Sequence, residues 1–278
     1  MAAIASGTRS GTRFRDLHER GKPFILANAW DRGSARVLAA LGAQAIGTSS
    51  AAHAFTLGRP DAKVSLDEAL AHAEDIVSAV GVPVSGDFEN GFADAPDGLA
   101  DTVRLAARVG LAGISIEDTV RGGGAYDFGM AVERIRAAAA AARALSHDFF
   151  LVARADGVMN GTYDMAEGLR RIRAFDEAGA DCLYLPVPPT LADVEATIKA
   201  TTKPVNVLIA GPYAKEPLAT YARMGAARLS LGSSLARATH KVLVDAGRAM
   251  FEGDFTPLTQ IARGEDVDAL LAKGARPE

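Results

Sequence analysis

Short apolar runs alternate along the chain with longer segments whose apolar positions recur at helical spacing. The runs at 23–28, 45–49, 82–87, 113–117, 149–154, 182–185, 204–209 and 228–232 are rich in Val, Ile, Leu and Phe and read as strands. Between them, 34–41, 65–80, 97–109, 129–145, 164–178, 191–200, 216–224 and 234–251 read as helices. The periodicity is plainest over 164–178, where Met165, Leu169, Ile172 and Phe175 fall on one face. A further short helix is expected at 14–20. Ser65 followed by Glu68 forms a capping box at the start of the second long helix. Gly42, Gly110, Gly179 and Gly225 each stand between a helix and the next apolar run, where a left-handed cap ends a helix.

Helical crossovers imply parallel strands buried on both faces, which accounts for runs that are apolar throughout rather than alternating. Eight such units in about 230 residues fit a closed (β/α)₈ barrel of the TIM type better than an open doubly wound sheet. No G-x-G-x-x-G follows the first strand, so the dinucleotide-binding signature is missing. No shift in composition marks a boundary, and 1–278 reads as one barrel domain. Within it, 1–12 is rich in Ser, Gly and Thr and reads as a loose tail. The residues at 252–278 form a helical extension, with short helices near 257–262 and 266–273 expected at a subunit contact.

Composition narrows the function classes. With 49% hydrophobic and 23% charged residues the chain has ample material for a globular core. A net charge of -4 without any basic run argues against a nucleic-acid or anionic-membrane surface. No stretch reaches the ~18 apolar residues that span a bilayer, and the N-terminus lacks a signal-peptide core. The single cysteine excludes an internal disulfide and fits a cytoplasmic, reducing environment. The expected partner is a small molecule.

The chemistry is concentrated where the apolar runs stop. Asp87 and Glu89 follow the third run two residues apart, so in extended chain they face the same side. Like charges converge there favourably only with a cation or a proton between them. The fourth run ends in Glu117 and Asp118, and the fifth in Arg154. In this fold the active site lies at the carboxyl ends of the strands. Those ends also bring Asn28, Trp30, Thr48, Ser49, Ser50 and Asn206. Oxygen donors without a His or Cys cluster suit Mg²⁺, or Mn²⁺. An arginine beside that ion suits a substrate carboxylate, which a guanidinium can grip with two parallel bonds.

From residue 14 to 251 the chain resembles the isocitrate lyase/phosphoenolpyruvate mutase superfamily. The resemblance rests on Asn28-Ala29-Trp30-Asp31, Thr48-Ser49-Ser50, Gly58-Arg59-Pro60-Asp61, Gly86-Asp87-Phe88-Glu89-Asn90-Gly91-Phe92, Gly113 to Asp118, and Val152-Ala153-Arg154. It implies that Asp87 binds Mg²⁺ directly while Asp61, Glu89 and Glu117 hold its waters. Ser49, Ser50 and Ala51 would bind the substrate's carboxylate and carbonyl oxygens, with Arg154 nearby. It further implies a barrel whose last helix is exchanged between subunits, a homotetramer, and chemistry through a Mg²⁺-stabilised enolate of a 2-oxo acid.

One stretch departs from that pattern. The family's lyases carry Lys-x-Cys-Gly-His after the fourth strand, and its phosphomutases a Lys and an Asn; here the loop runs from Asp118 to Asp127 through three glycines, Gly122 to Gly124. Cys182 lies in another strand and reads as a core thiol. The loop reads as a mobile lid, and Arg121, its sole cationic side chain, as the group that folds toward the substrate's far anionic end. Trp30 reads equally as a ligand cap or a packing residue, and His53 as structural. The expected activity is Mg²⁺-dependent C–C cleavage in a small 2-oxo or 2-hydroxy (di)carboxylate, with Arg121, Arg154 and Glu117 catalytic. The alternatives are P–C chemistry of the phosphonomutase or phosphonopyruvate hydrolase type, or a 2-oxo-acid-binding protein without catalysis.

Overall fold

A computed structural model describes residues 13–277; the N-terminal tail expected at 1–12 lies outside the described residues. Eight strands, β1 (Phe24–Ala29), β2 (Ile46–Thr48), β3 (Val84–Asp87), β4 (Gly113–Glu117), β5 (Phe150–Arg154), β6 (Cys182–Tyr184), β7 (Val205–Leu208) and β8 (Arg228–Ser230), pair in parallel in sequence order. β8 closes onto β1 through Phe24 opposite Arg228. This is the (β/α)₈ barrel expected from the alternation.

Among the described residues eleven α-helices follow the strands: α1 (Arg32–Ala40), α2 (Ser50–Thr56), α3 (Leu66–Ala79), α4 (Pro96–Arg108), α5 (Phe128–Arg143), α6 (Gly157–Asn160), α7 (Met165–Ala178), α8 (Leu191–Lys199), α9 (Leu218–Met224), α10 (Ser234–Phe251) and α11 (Gly264–Lys273). α2 and α6 were not expected, because seven and four residues are too short to show a helical period. The Ser65–Glu68 capping box is formed at the start of α3, and Gly179 and Gly225 end their helices in the left-handed conformation.

Register decides which side chains share the rim. Glu117 pairs with Arg154 across β4 and β5, and Asp87 with Ser115 across β3 and β4. Three charged strand ends are therefore neighbours. Between the strands and the helices the core is aliphatic, with Ile46, Ile114, Ile116 and Leu183 fully buried.

The C-terminal part divides in two. Only Ala236 of α10 is buried, while Val242, Leu243 and Phe251 are exposed, the last to 90%. Within the extension at 252–278, α11 packs on α1 of its own barrel. Gly274 sits so close to Arg36 that a Cβ there would lie 1.8 Å from its carbonyl oxygen. The Arg276 amide donates to the Ala79 carbonyl at 2.9 Å.

The β4–β5 seam is as tight. A Cβ on Gly113 would stand 2.1 Å from the Phe150 carbonyl oxygen, a backbone atom that cannot swing aside. Gly113→Ala is therefore expected to destabilise the protein by about 3 kcal/mol, the upper end for overpacking. Urea unfolding at constant m-value reads this directly, and a midpoint equal to wild type would contradict such a tight seam.

Candidate active site

At the carboxyl ends of the strands opens a cavity of about 290 Å³, lined by Ser49, Ser50, Ala51, Asp61, Asp87, Glu117 and Arg154 together with small residues of the barrel interior. Each rim group is held by the element before it. Asp87 ends β3; its amide donates to the Thr48 hydroxyl at 2.8 Å. One carboxylate oxygen, Oδ2, accepts from both the amide and the hydroxyl of Ser50 at 3.0 Å. The other, Oδ1, accepts from Arg154 Nη1 at 2.9 Å. Ser49 caps α2, its hydroxyl accepting from the Ala52 amide at 3.3 Å.

Arg154 is the centre of the charge arrangement. Its Nη1 also lies 3.1 Å from Glu117 Oε1. Its Nε and Nη2 grip both oxygens of the buried Asp156 at 3.1 and 2.8 Å. Burial alone would lower this guanidinium's pKa, but Asp156, Glu117 and Asp87 outweigh it and hold the pKa well above the ordinary value.

The carboxylates are displaced the other way. Burial raises Glu117, opposed by Arg154 and reinforced by Asp87. Asp61 is likewise raised by loss of solvent and by Asp87. Burial pushes Glu89 up to about 7 against the pull of Arg121, with Asp87, Asp61 and Glu117 adding to it. Glu89 Oε1 is buried without a hydrogen-bond partner. The rim thus carries more negative charge than Arg154 neutralises. Among the described residues no three His, Cys, Asp or Glu side chains form a ready metal cage. The oxygen-only donors and their surplus charge fit a hard divalent ion held by one carboxylate and waters.

Four of the expected site residues lie outside this cavity. Trp30 is half-buried; its amide donates to Ser34 Oγ at the start of α1, and its carbonyl lies 2.9 Å from His72 Nε2. Glu89 sits behind Asp87, against Arg121 Nε at 2.8 Å. Arg121 itself turns away from the substrate space. Its Nη2 donates to the carbonyls of Ala62 and Val64 at 2.9 and 2.6 Å, and its guanidinium lies over Phe92. Two backbone acceptors and the buried Glu89 carboxylate engage the guanidinium locally. Asn206 is buried beneath the cavity, between Arg228 and Ser230.

Asp118 and Thr48 were placed at strand ends without a role, and Asp156, Tyr184 and Arg228 were missed. Asp118 is an anchor, accepting from the Asp156 amide, Tyr163 Oη and Arg171 Nη1 at 2.8, 2.7 and 3.0 Å. Thr48, Asp156, Tyr184 and Arg228 line the cavity. A charged residue opening the otherwise apolar β8 was the available signal for Arg228. Cys182 is fully buried in β6, and burial pushes its thiol up to about 11, so it is poor thiolate material.

A closed parallel barrel with acidic groups and an arginine at its carboxyl rim has the architecture of the barrel enzymes. The chain belongs to the phosphoenolpyruvate phosphomutase family, whose pattern matches residues 14–251, within the phosphoenolpyruvate mutase/isocitrate lyase superfamily. A crystal structure of a Burkholderia cenocepacia J2315 protein provisionally assigned as a lyase/mutase superposes with a TM-score of 0.92 at 40% identity, covering 96% of this chain and 97% of that one. The 2,3-dimethylmalate lyase of Eubacterium barkeri is 32% identical over 64% of each chain. The oxaloacetate decarboxylase of Paraburkholderia xenovorans strain LB400 is 32% identical over 73% of this chain and 69% of its own.

Behind the rim His53 stacks on His72, with ring centroids 3.8 Å apart and planes within 11°. Neither ring nitrogen of His53 has a hydrogen-bond partner. Burial lowers His72 to about 4, and the neighbouring His53 adds to the effect. An imidazole that resists protonation when folded binds fewer protons than in the unfolded chain. Its stabilising share is therefore complete above about 6.5 and is lost as pH falls toward 4. His72→Gln, which keeps a donor for the Trp30 carbonyl but cannot titrate, should flatten the fall in urea midpoint between pH 7 and pH 4.5. Parallel pH profiles for the two proteins would contradict the assignment.

Proposed function

We propose that this protein is a divalent-cation-dependent lyase that breaks a C–C bond in a small 2-oxo or 2-hydroxy carboxylate. The observation that carries the reading is the convergence of Asp87, Glu117, Arg154 and the Ser50 amide and hydroxyl on one cavity. The reactions named for the Eubacterium and Paraburkholderia relatives support it.

In this reading Asp87 holds the ion, with Asp61 and Glu117 at the same mouth and Glu89 behind. When bound, a divalent ion supplies positive charge beside the oxygen on which negative charge develops. Arg154, with Ser50 and Ala51, orients the substrate carboxylate. Glu117, with its raised pKa, is placed to hold a proton at its carboxyl oxygens. Arg121 acts as a positioning residue that fixes the lid and the loop bearing Asp61. No thiol takes part.

Asp87→Ala tests the central assignment. Magnesium binding by calorimetry should be lost, and turnover of a panel containing oxaloacetate, alkylmalates, methylisocitrate and phosphonopyruvate should fall by at least about 100-fold. The far-UV spectrum should be unchanged. A variant with wild-type turnover and metal affinity would sink the reading. Turnover confined to phosphonopyruvate would assign P–C chemistry, and a wild type inert toward the whole panel would leave a binding protein.

The proposal extends to assembly. The apolar residues that α10 leaves in solvent are ones a barrel would ordinarily cover, and exchange of this helix between subunits covers them. Light scattering at micromolar concentration should give the mass of a tetramer; a monomer mass would contradict it.

A further inference from the structure

Arg228 stands at the floor of the same cavity, at the first position of β8 and only 2% exposed. It differs from Arg154 in one respect: among the described residues no carboxylate lies within ion-pair distance of it. Its Nε donates to Asn206 Oδ1 at 2.8 Å, and Asn206 in turn donates to Ser230 Oγ at 2.8 Å. Its Nη1 is buried and has no hydrogen-bond partner. The nearby thiol and phenol do not supply the missing charge, since burial pushes Cys182 up to about 11 and Tyr184 up to about 12. An unpaired buried guanidinium is costly. Asn206 nevertheless fixes its orientation, and Arg228 lines the cavity from below with its Nη1 closed to solvent.

We infer that Arg228 is an anion receptor for a second carboxylate of the substrate, so that the cavity selects dicarboxylates over monocarboxylates. Arg154 already pairs with Asp87, Glu117 and Asp156, so of the two arginines lining the cavity Arg228 is the one without a carboxylate partner. A planar guanidinium with free N–H groups matches a carboxylate. The cavity is therefore polarised, with an acidic mouth suited to the metal-binding end of a 2-oxo or 2-hydroxy acid and a cationic floor suited to its other end. Asn206 is a positioning residue that acts through Arg228. This inference rests on the reading of the cavity as a 2-oxo or 2-hydroxy acid site.

Malate and lactate share the 2-hydroxy acid end and differ in the second carboxylate, so calorimetric titration with both, in magnesium buffer, isolates the floor. Wild type should bind malate at least about tenfold more tightly than lactate, the effect of a charge-assisted hydrogen-bond pair. Arg228→Met should abolish that preference while leaving lactate affinity unchanged, and Arg228→Lys should restore part of it. An unchanged malate-to-lactate ratio in Arg228→Met overturns the inference. Replacing a lone buried charge by an apolar side chain of similar length is not expected to lower the urea midpoint. Should the variant nonetheless fail to fold, wild type alone decides: with EDTA present, malonate should raise its urea midpoint above that in chloride of equal ionic strength, and equal midpoints overturn the inference. Malate selectivity without turnover of any 2-oxo acid would remove the lyase reading and keep the receptor. Turnover with an unaffected ratio would do the reverse.

Discussion

The guanidinium of Arg154 is the contact on which the rim depends. It ties the end of β3 through Asp87 to the end of β4 through Glu117, and closes on Asp156 in the turn beyond its own strand. Taking these charges out of water costs several kcal/mol per ion, recovered only where geometry and hydrogen bonding are good. Here one cation meets three carboxylates, so the recovery is incomplete. The upward displacement of Glu117 and Asp61 is the visible remainder. A rim in that condition favours a second cation or an added proton. The same imbalance thus explains both the electrostatics and the fit to a divalent ion.

Room for a ligand comes from residue size rather than from a wide barrel. Eight-stranded barrels are ordinarily filled by layers of branched side chains. In this barrel Gly47, Ser85, Ser115 and Ser230 stand where such layers would reach the upper part, and all four line the cavity. A larger residue is excluded at one of these positions: a Cβ on Gly47 would lie 2.8 Å from Asn28 Nδ2. The hollow interior then lets Arg228 border the cavity from a strand position that in a filled barrel would pack against neighbours.

The fold was legible because helical crossovers force apolar strands, and the rim because charged residues follow those strands directly. Asp87, Glu117 and Arg154 are readable in that way: each ends its run, and strand register makes them neighbours. Arg121 is not. Which way an arginine in a glycine-containing loop turns depends on acceptors supplied elsewhere, here the carbonyls of Ala62 and Val64, more than fifty residues away in sequence. Asp118 shows the same limit, since it follows Glu117 directly yet is only 2% exposed. One residue of displacement along an extended chain reverses the side to which a group points, and a distant arginine, Arg171, completes its burial. Arg228 was overlooked because it opens its run instead of ending it.

Arg121 also explains how two loops act as one unit. Ala62 holds φ at 60°, a conformation that costs a residue with a Cβ of the order of 1 kcal/mol. Its carbonyl and that of Val64 are held by Arg121 Nη2, so the strain is kept in place by a side chain from the opposite loop. Asp61 precedes the strained residue, and its Oδ1 accepts from the Ala62 amide at 2.9 Å. The glycine-rich turn is itself secured at both ends, by Asp118 on one side and by Tyr126 donating to Asp94 on the other. Gly122, Gly123 and Gly124, all at positive φ, have open space where a Cβ would stand, and the turn is closed on itself by the Gly123 amide donating to the Val120 carbonyl and the Val120 amide to the Gly124 carbonyl, both at 3.0 Å. Any movement of this turn that frees Arg121 must also release Glu89 and loosen the segment bearing Asp61. The position of Arg121 and the placement of Glu89 and of the segment bearing Asp61 are therefore mechanically coupled.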